Sequence, residues 1–125
     1  MAVLKFPPGS INPLHIHPRA TELLFLHCGT LEVGFVDTKN GLFNKTLKPG
    51  DMLVFPKGIV HCQYNRNHKD QAMAISSFGS ASTGIQFVPM SVFNSGISNN
   101  VLAKAFKTDL DTKIRQRLQS LGLEP

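Results

Sequence analysis

Apolar and β-branched runs recur along the chain at residues 2–6, 22–27, 30–36, 42–47, 52–55, 59–64, 72–77 and 84–89. Between them stand turn formers: Gly29, 37–41, Pro49-Gly50, 56–58, 66–70 and 79–83. Many brief strands punctuated by glycine and proline predict an all-β sandwich or barrel, not an alternating α/β fold. The pattern changes after Ser91. Asn99 or Asn100 can cap a helix over residues 101–106, and Thr108 with Asp111 resembles a capping box for a second helix. Along that second helix Leu110, Ile114, Leu118 and Leu121 recur at helical spacing, with Gly122 as a stop. The pattern divides the chain into a barrel over 1–92 and a helical segment over 93–125.

At 125 residues the chain is one domain, and 42% hydrophobic against 17% charged residues is the composition of a globular protein rich in buried strands. The formal charge of +5 is scattered, with one cluster at Lys104, Lys107, Lys113, Arg115 and Arg117 that reads as a solvated helix face. Nothing resembles a nucleic-acid module. No stretch approaches the ~18 consecutive apolar residues of a membrane span. The first residues, Met1-Ala2-Val3-Leu4-Lys5, are too short and interrupted for a signal peptide.

Candidate chemistry lies in His15-Ile16-His17, Glu22 and His61. On a strand, residues two apart share a face roughly 6.5–7 Å apart, so both imidazoles of His15 and His17 can lean toward one cation. Glu22 follows the turn at 18–21 and opens an apolar run facing the same interior, while His61 ends the stretch beyond 56–58. Three imidazoles and a carboxylate suit a divalent ion such as Mn, Fe, Co, Ni or Zn.

The glycines and prolines around these residues carry a resemblance. Gly9-x5-His15-x-His17-x4-Glu22-x6-Gly29 and Gly50-x5-Pro56-x-Gly58-x2-His61-x3-Asn65 resemble the two signature motifs of the cupin superfamily, in the form found in plant germins and germin-like proteins. Asn12-Pro13, Val33-Gly34-Phe35-Val36 and Lys48-Pro49-Gly50-Asp51 are similar as well. The resemblance implies a cupin jelly-roll β-barrel with C-terminal α-helices and manganese, Mn(2+), held by His15, His17, Glu22 and His61. It implies an extracellular protein of the apoplast or cell wall that acts as a superoxide dismutase. Oxalate oxidation and a non-enzymatic storage or cell-wall role are the alternatives. It further implies a homo-oligomer, trimer or hexamer, in which the C-terminal helices clasp a neighbouring subunit; packing on the chain's own barrel is the other use of their apolar stripe. Family members carry a signal peptide and a disulfide-bearing leading segment, which this chain is expected to lack.

Asn12 matches a position from which the family's oxalate oxidases present an amide to substrate; otherwise it is a turn residue before Pro13. Asn65 reads as structural, at a strand end. His27 and His68 read as bystanders. Phe25, Phe35, Phe55, Phe78 and Phe87 read as core or pocket lining, and Arg19 as a turn residue or an anion guide. Strand parity sets Cys62 opposite His61 and Cys28 with Glu22, which predicts two free, buried thiols. Asn44-Lys45-Thr46 is an N-glycosylation triplet if the chain is secreted.

Overall fold

The computed structural model describes residues 1–107, 116, 117 and 120. Nine strands form two antiparallel sheets: β1 (Ala2–Phe6), β2 (Ile11–Ile16), β3 (Glu22–Cys28), β4 (Leu31–Val36), β5 (Leu42–Leu47), β6 (Met52–Phe55), β7 (Val60–Tyr64), β8 (Ala72–Phe78) and β9 (Gln86–Phe87). One sheet has the order β1-β8-β3-β6 and the other β5-β4-β7-β2-β9. This is the all-β fold expected from the pattern and the jelly roll implied by the resemblance. Beyond the strands come helices α1 (Val88–Phe93) and α2 (Asn99–Ala105). The chain divides into two compact units, the first Met1–Phe87 and the second starting at Val88.

Period-two alternation builds the core. In β3, Leu24 and Leu26 point inward and Leu23 outward; in β4, Leu31 and Val33 point inward. With Phe6, Leu47, Phe55, Ala72 and Ala74 they form one buried cluster. Each fully buried leucine contributes about 1.5–3 kcal/mol of transfer free energy. The turns between strands are specified locally. Asp37 Oδ1 accepts from the amides of Lys39 and Gly41 at 2.9 and 2.7 Å, closing the β4–β5 connection. Gly29, between β3 and β4, has φ +80°, and a Cβ there would lie 2.7 Å from Gln71 O and 2.8 Å from Ala72 Cα. Backbone passes too close for any side chain at Gly29.

Three features depart from the sequence reading. The run at 84–89 yields only the short β9, after which the chain turns into α1. Pro89 is the second residue of that helix, where a missing N–H costs nothing. The cap of α2 is Ser98, whose hydroxyl accepts from Val101 N at 3.4 Å; neither Asn99 nor Asn100 is the cap. Cys28 is exposed instead of buried. A register shift between Leu26 and Cys28 inserts an extra residue in β3, so Cys28 faces Met73 on the outer side. Both thiols are free, as expected. The expected second helix with its stripe of Leu110, Ile114, Leu118 and Leu121 lies outside the described residues.

The second unit has its own small core of Leu102 and Ala103, packed with Val92 and Phe93. Among the described residues, no helix is long and apolar enough to cross a membrane.

Candidate metal centre

The site is built where the two sheets face each other. The five-stranded sheet supplies His15 from β2, His17 just past its end and His61 from β7; the four-stranded sheet supplies Glu22, the first residue of β3. His15 and His61 are register partners. One potential ligand atom from each of the four side chains lies within 4.8 Å of all the others. His15, Glu22 and His61 are each only 1% exposed. These residues form a cluster able to hold a metal ion.

The backbone holds each imidazole by its far nitrogen. Nδ1–H of His15 donates to Pro13 O at 2.6 Å, that of His17 to Gly84 O at 2.7 Å and that of His61 to Ile59 O at 3.0 Å. A carbonyl only accepts, so the proton sits on Nδ1 in all three rings and each neutral ring presents an Nε2 lone pair. Nε2 of His17 and His61 stand 3.2 and 3.3 Å from the same Glu22 Oε1. Lone pairs facing a carboxylate oxygen at that distance repel unless a cation, either a proton or a metal, lies among them. The donor set therefore fits a divalent ion.

Burial holds the His15 imidazolium down to a pKa of about 4, against an ordinary 6.5, despite the opposing bond to Pro13. Burial pushes Glu22 up, but the imidazole of His61, which donates to it whenever its Nε2 carries a proton, and the hydrogen bond from Ser76 outweigh burial and keep the carboxyl below its usual range. Ser76 Oγ donates to Glu22 Oε2 at 2.7 Å, leaving Oε1 to face the histidines.

The His15 shift sets an acid response for the metal-free protein. The folded state resists protonation at His15 while the unfolded chain takes up the proton near 6.5, so stability falls as pH drops from about 6.5 to about 4. The loss from this residue amounts to about 3 kcal/mol over that window. Urea midpoints of the metal-free protein between pH 7 and 4, beside a His15→Phe variant with a flatter profile, measure it.

Phenyl rings wall the cluster. Phe55 stacks on His61 with centroids 4.3 Å apart, Phe78 meets His17 edge-on at 5.1 Å and Phe87 lies 5.5 Å from His15. Phe55 and Phe78 are also the strand partners of Glu22. Arg19 does not face the metal cluster. Its Nε donates to Ser82 O at 2.7 Å, and its guanidinium crowds Gly84, whose φ is +71° and whose carbonyl holds His17. Arg19 thus latches the loop that orients one imidazole. His27 and His68 are exposed and apart from the site.

Asn12 enters the interior through a bulge. It pairs with Gln63 and His15 with His61, so β2 spends one residue more than β7 between the two pairs, at Pro13-Leu14. Asn12 Nδ2 donates to Gln63 Oε1 at 2.8 Å. Gln63 is fully buried, and its Nε2 has no hydrogen-bond acceptor among the described residues. Gln63 and Ser76 are the site residues that sequence reading overlooked. Each had a signal: Gln63 lies two residues from His61 on the same strand face, and Ser76 continues the inward row of Ala72 and Ala74. Asn65 is structural, its amide donating to Phe6 O and Asp70 O, both at 2.9 Å.

A sequence model described as Cupin matches residues 1–113. The chain belongs to the cupin family. Within it, this cupin is most clearly similar to germin-like proteins. It is 53% identical to Germin-like protein 9-3 of Oryza sativa subsp. japonica over 124 residues, 99% of this chain and 56% of that protein. It is 43% identical to the Rhicadhesin receptor of Pisum sativum over 122 residues, 96% of this chain and 55% of that one. The cupin chain thus spans about half the length of the curated relatives it matches. A solved structure titled for the mechanism of oxalate oxidase superposes with a TM-score of 0.89 at 35% identity, covering 94% of this chain and 60% of that one.

Proposed function

We propose that His15, His17, Glu22 and His61 hold one manganese ion and that this germin-like cupin is an extracellular superoxide dismutase. The observation that carries the metal reading is the convergence of the three imidazoles, each fixed at Nδ1, with Nε2 of His17 and His61 beside Glu22 Oε1 and a ligand atom of His15 within 4.8 Å of the others. The germin resemblance supports manganese. Four protein donors leave open positions on an ion that accepts six, as a catalytic site requires. Manganese there supplies one-electron cycling between its divalent and trivalent states. The chain's own part is to keep the carboxylate ionised, fix the tautomers and, through Phe55, Phe78 and Phe87, exclude bulk water. Gln63 Nε2 offers a buried donor to a small anion on the His61 face of β7.

Oxalate oxidation is the second reading, and the Asn12–Gln63 pair favours it. A buried amide donor beside a cation is a station for a carboxylate oxygen, and Asn12 would act as its positioning residue. The likeness to oxalate oxidase supports this reading. Homo-oligomerisation belongs to the same proposal. Val3, Leu23, Met52 and Val54 are 40–60% exposed on the outer face of the four-stranded sheet, an apolar patch suited to a partner subunit.

The test is metal analysis of the purified protein, followed by peroxide production from superoxide and from oxalate. Stoichiometric manganese with peroxide from superoxide is the expected result. Peroxide from oxalate alone selects the second reading, bound manganese without either turnover reduces the protein to a metal-binding one, and no bound metal rejects both.

A further inference from the structure

Ser76 stands in a row that does not need a hydroxyl for packing. The inward positions of β8 are Ala72, Ala74 and Ser76, all fully buried, and the two alanines show that a methyl fills such a place. Register sets Ser76 opposite Leu24 and Phe78 opposite Glu22, so Ser76 is the diagonal neighbour of Glu22 on the inner face. A buried hydroxyl beside Leu24 and Ala74 costs free energy unless it is bonded. Its bond goes to Glu22, whose Oε2 accepts from Ser76 Oγ at 2.7 Å. The hydroxyl therefore serves a carboxylate of the metal cluster, not a strand or a turn.

Glu22 has a use for that bond. Its other oxygen, Oε1, lies 3.2 and 3.3 Å from Nε2 of His17 and His61. Both rings give their Nδ1 protons to backbone carbonyls, of Gly84 and Ile59, so each turns a lone pair toward Oε1. In the metal-free protein those lone pairs push Oε1 away, and a glutamate side chain has several rotatable bonds through which to yield. Phe55 and Phe78, its partners on the neighbouring strands, offer no donor. Among the described residues, Ser76 is the neutral donor that holds Glu22 whatever the protonation of the imidazoles. We infer that Ser76 is a positioning residue: its hydroxyl pins Oε2 and so holds Oε1 among the three imidazoles before an ion arrives. The inference rests on the metal reading of the cluster. A free carboxylate can grip a cation with both oxygens. With Oε2 engaged, Glu22 presents one, which keeps the protein donors at four and leaves room on the ion for small ligands.

The experiment titrates manganese(II) into the metal-free full chain and into its Ser76→Ala, Ser76→Val and Ser76→Thr variants. The readouts are affinity and the electron paramagnetic resonance spectrum of the bound ion. Threonine keeps the hydroxyl and valine has the same shape without it, so comparing that pair cancels the crowding an added methyl causes. Ser76→Ala and Ser76→Val are expected to bind manganese about 10–100-fold more weakly than the parent, the usual cost of losing a group that orients a ligand. Their bound-ion spectra should differ from the parent's in zero-field splitting. Ser76→Thr is expected to recover most of the affinity and the parent's spectrum. A merely structural serine would shift the urea midpoint of the metal-free protein and move neither readout. Parent-like affinity and spectrum in Ser76→Ala, or equal losses in Ser76→Val and Ser76→Thr, overturn the inference and leave the metal reading standing. A parent chain that binds no manganese overturns both.

Discussion

His61→Ala protein, purified from manganese-rich medium, is expected to carry less than a tenth of the parent's metal, with affinity lowered more than about 100-fold. Loss of a group that only orients a ligand typically costs 10–100-fold, and His61 is itself one of the four converging side chains. Nothing nearby can replace it. The other two histidines among the described residues, His27 and His68, are exposed, and the one lone-pair atom of the Gln63 amide, Oε1, is taken by Asn12 Nδ2 at 2.8 Å. Truncation also removes the ring stacked on Phe55, so a folding defect could imitate the effect. His61→Gln, closer in volume, separates the two. It should melt within a few degrees of the metal-free parent and still fail to retain manganese through gel filtration, measured by elemental analysis. A His61→Gln protein that keeps stoichiometric manganese removes His61 from the cluster.

Phe55→Ala is expected to be the most destabilising single change near the site, by about 3–5 kcal/mol. The ring is 1% exposed, belongs to the main core and meets Phe35 edge-on at 6.4 Å. For a domain of this size the loss corresponds to a fall in melting temperature of roughly 10–20 °C. The same ring is a plate against which His61 rests, so metal affinity should fall with it. Phe55→Leu restores most of the buried volume but not the flat stacking surface. Its melting point should recover most of the way while its manganese affinity remains below the parent's. Calorimetry and metal titration on the two variants resolve packing from ring orientation.

Parity of two along strands was enough to read most of this molecule. It paired His15 with His17, set Glu22 inward with Leu24 and Leu26, and separated Cys62 from His61. Parity fails wherever one strand carries an extra residue. The bulge at Pro13-Leu14 turns Asn12 to the side of His15 despite their odd spacing, and the one before Cys28 turns that thiol outward. A bulge is decided by how two strands fit together, which neither strand states alone. The bonds that orient the imidazoles were hidden for a similar reason. The carbonyls that fix the imidazoles belong to Pro13, Ile59 and Gly84, and a backbone oxygen carries no residue-specific sign. The short helix α1 was masked by Val88, Phe87 and Ile85, β-formers that read as one continuous strand up to Pro89.

Glu22 and the three histidines come from opposite layers of the jelly roll, so a cation bound by all four would rivet one layer to the other. Sliding or peeling the sheets apart would then require the ion to leave first. Mechanical coherence of the fold and occupancy of the centre become a single property, and metal starvation would loosen the architecture as well as silence the chemistry.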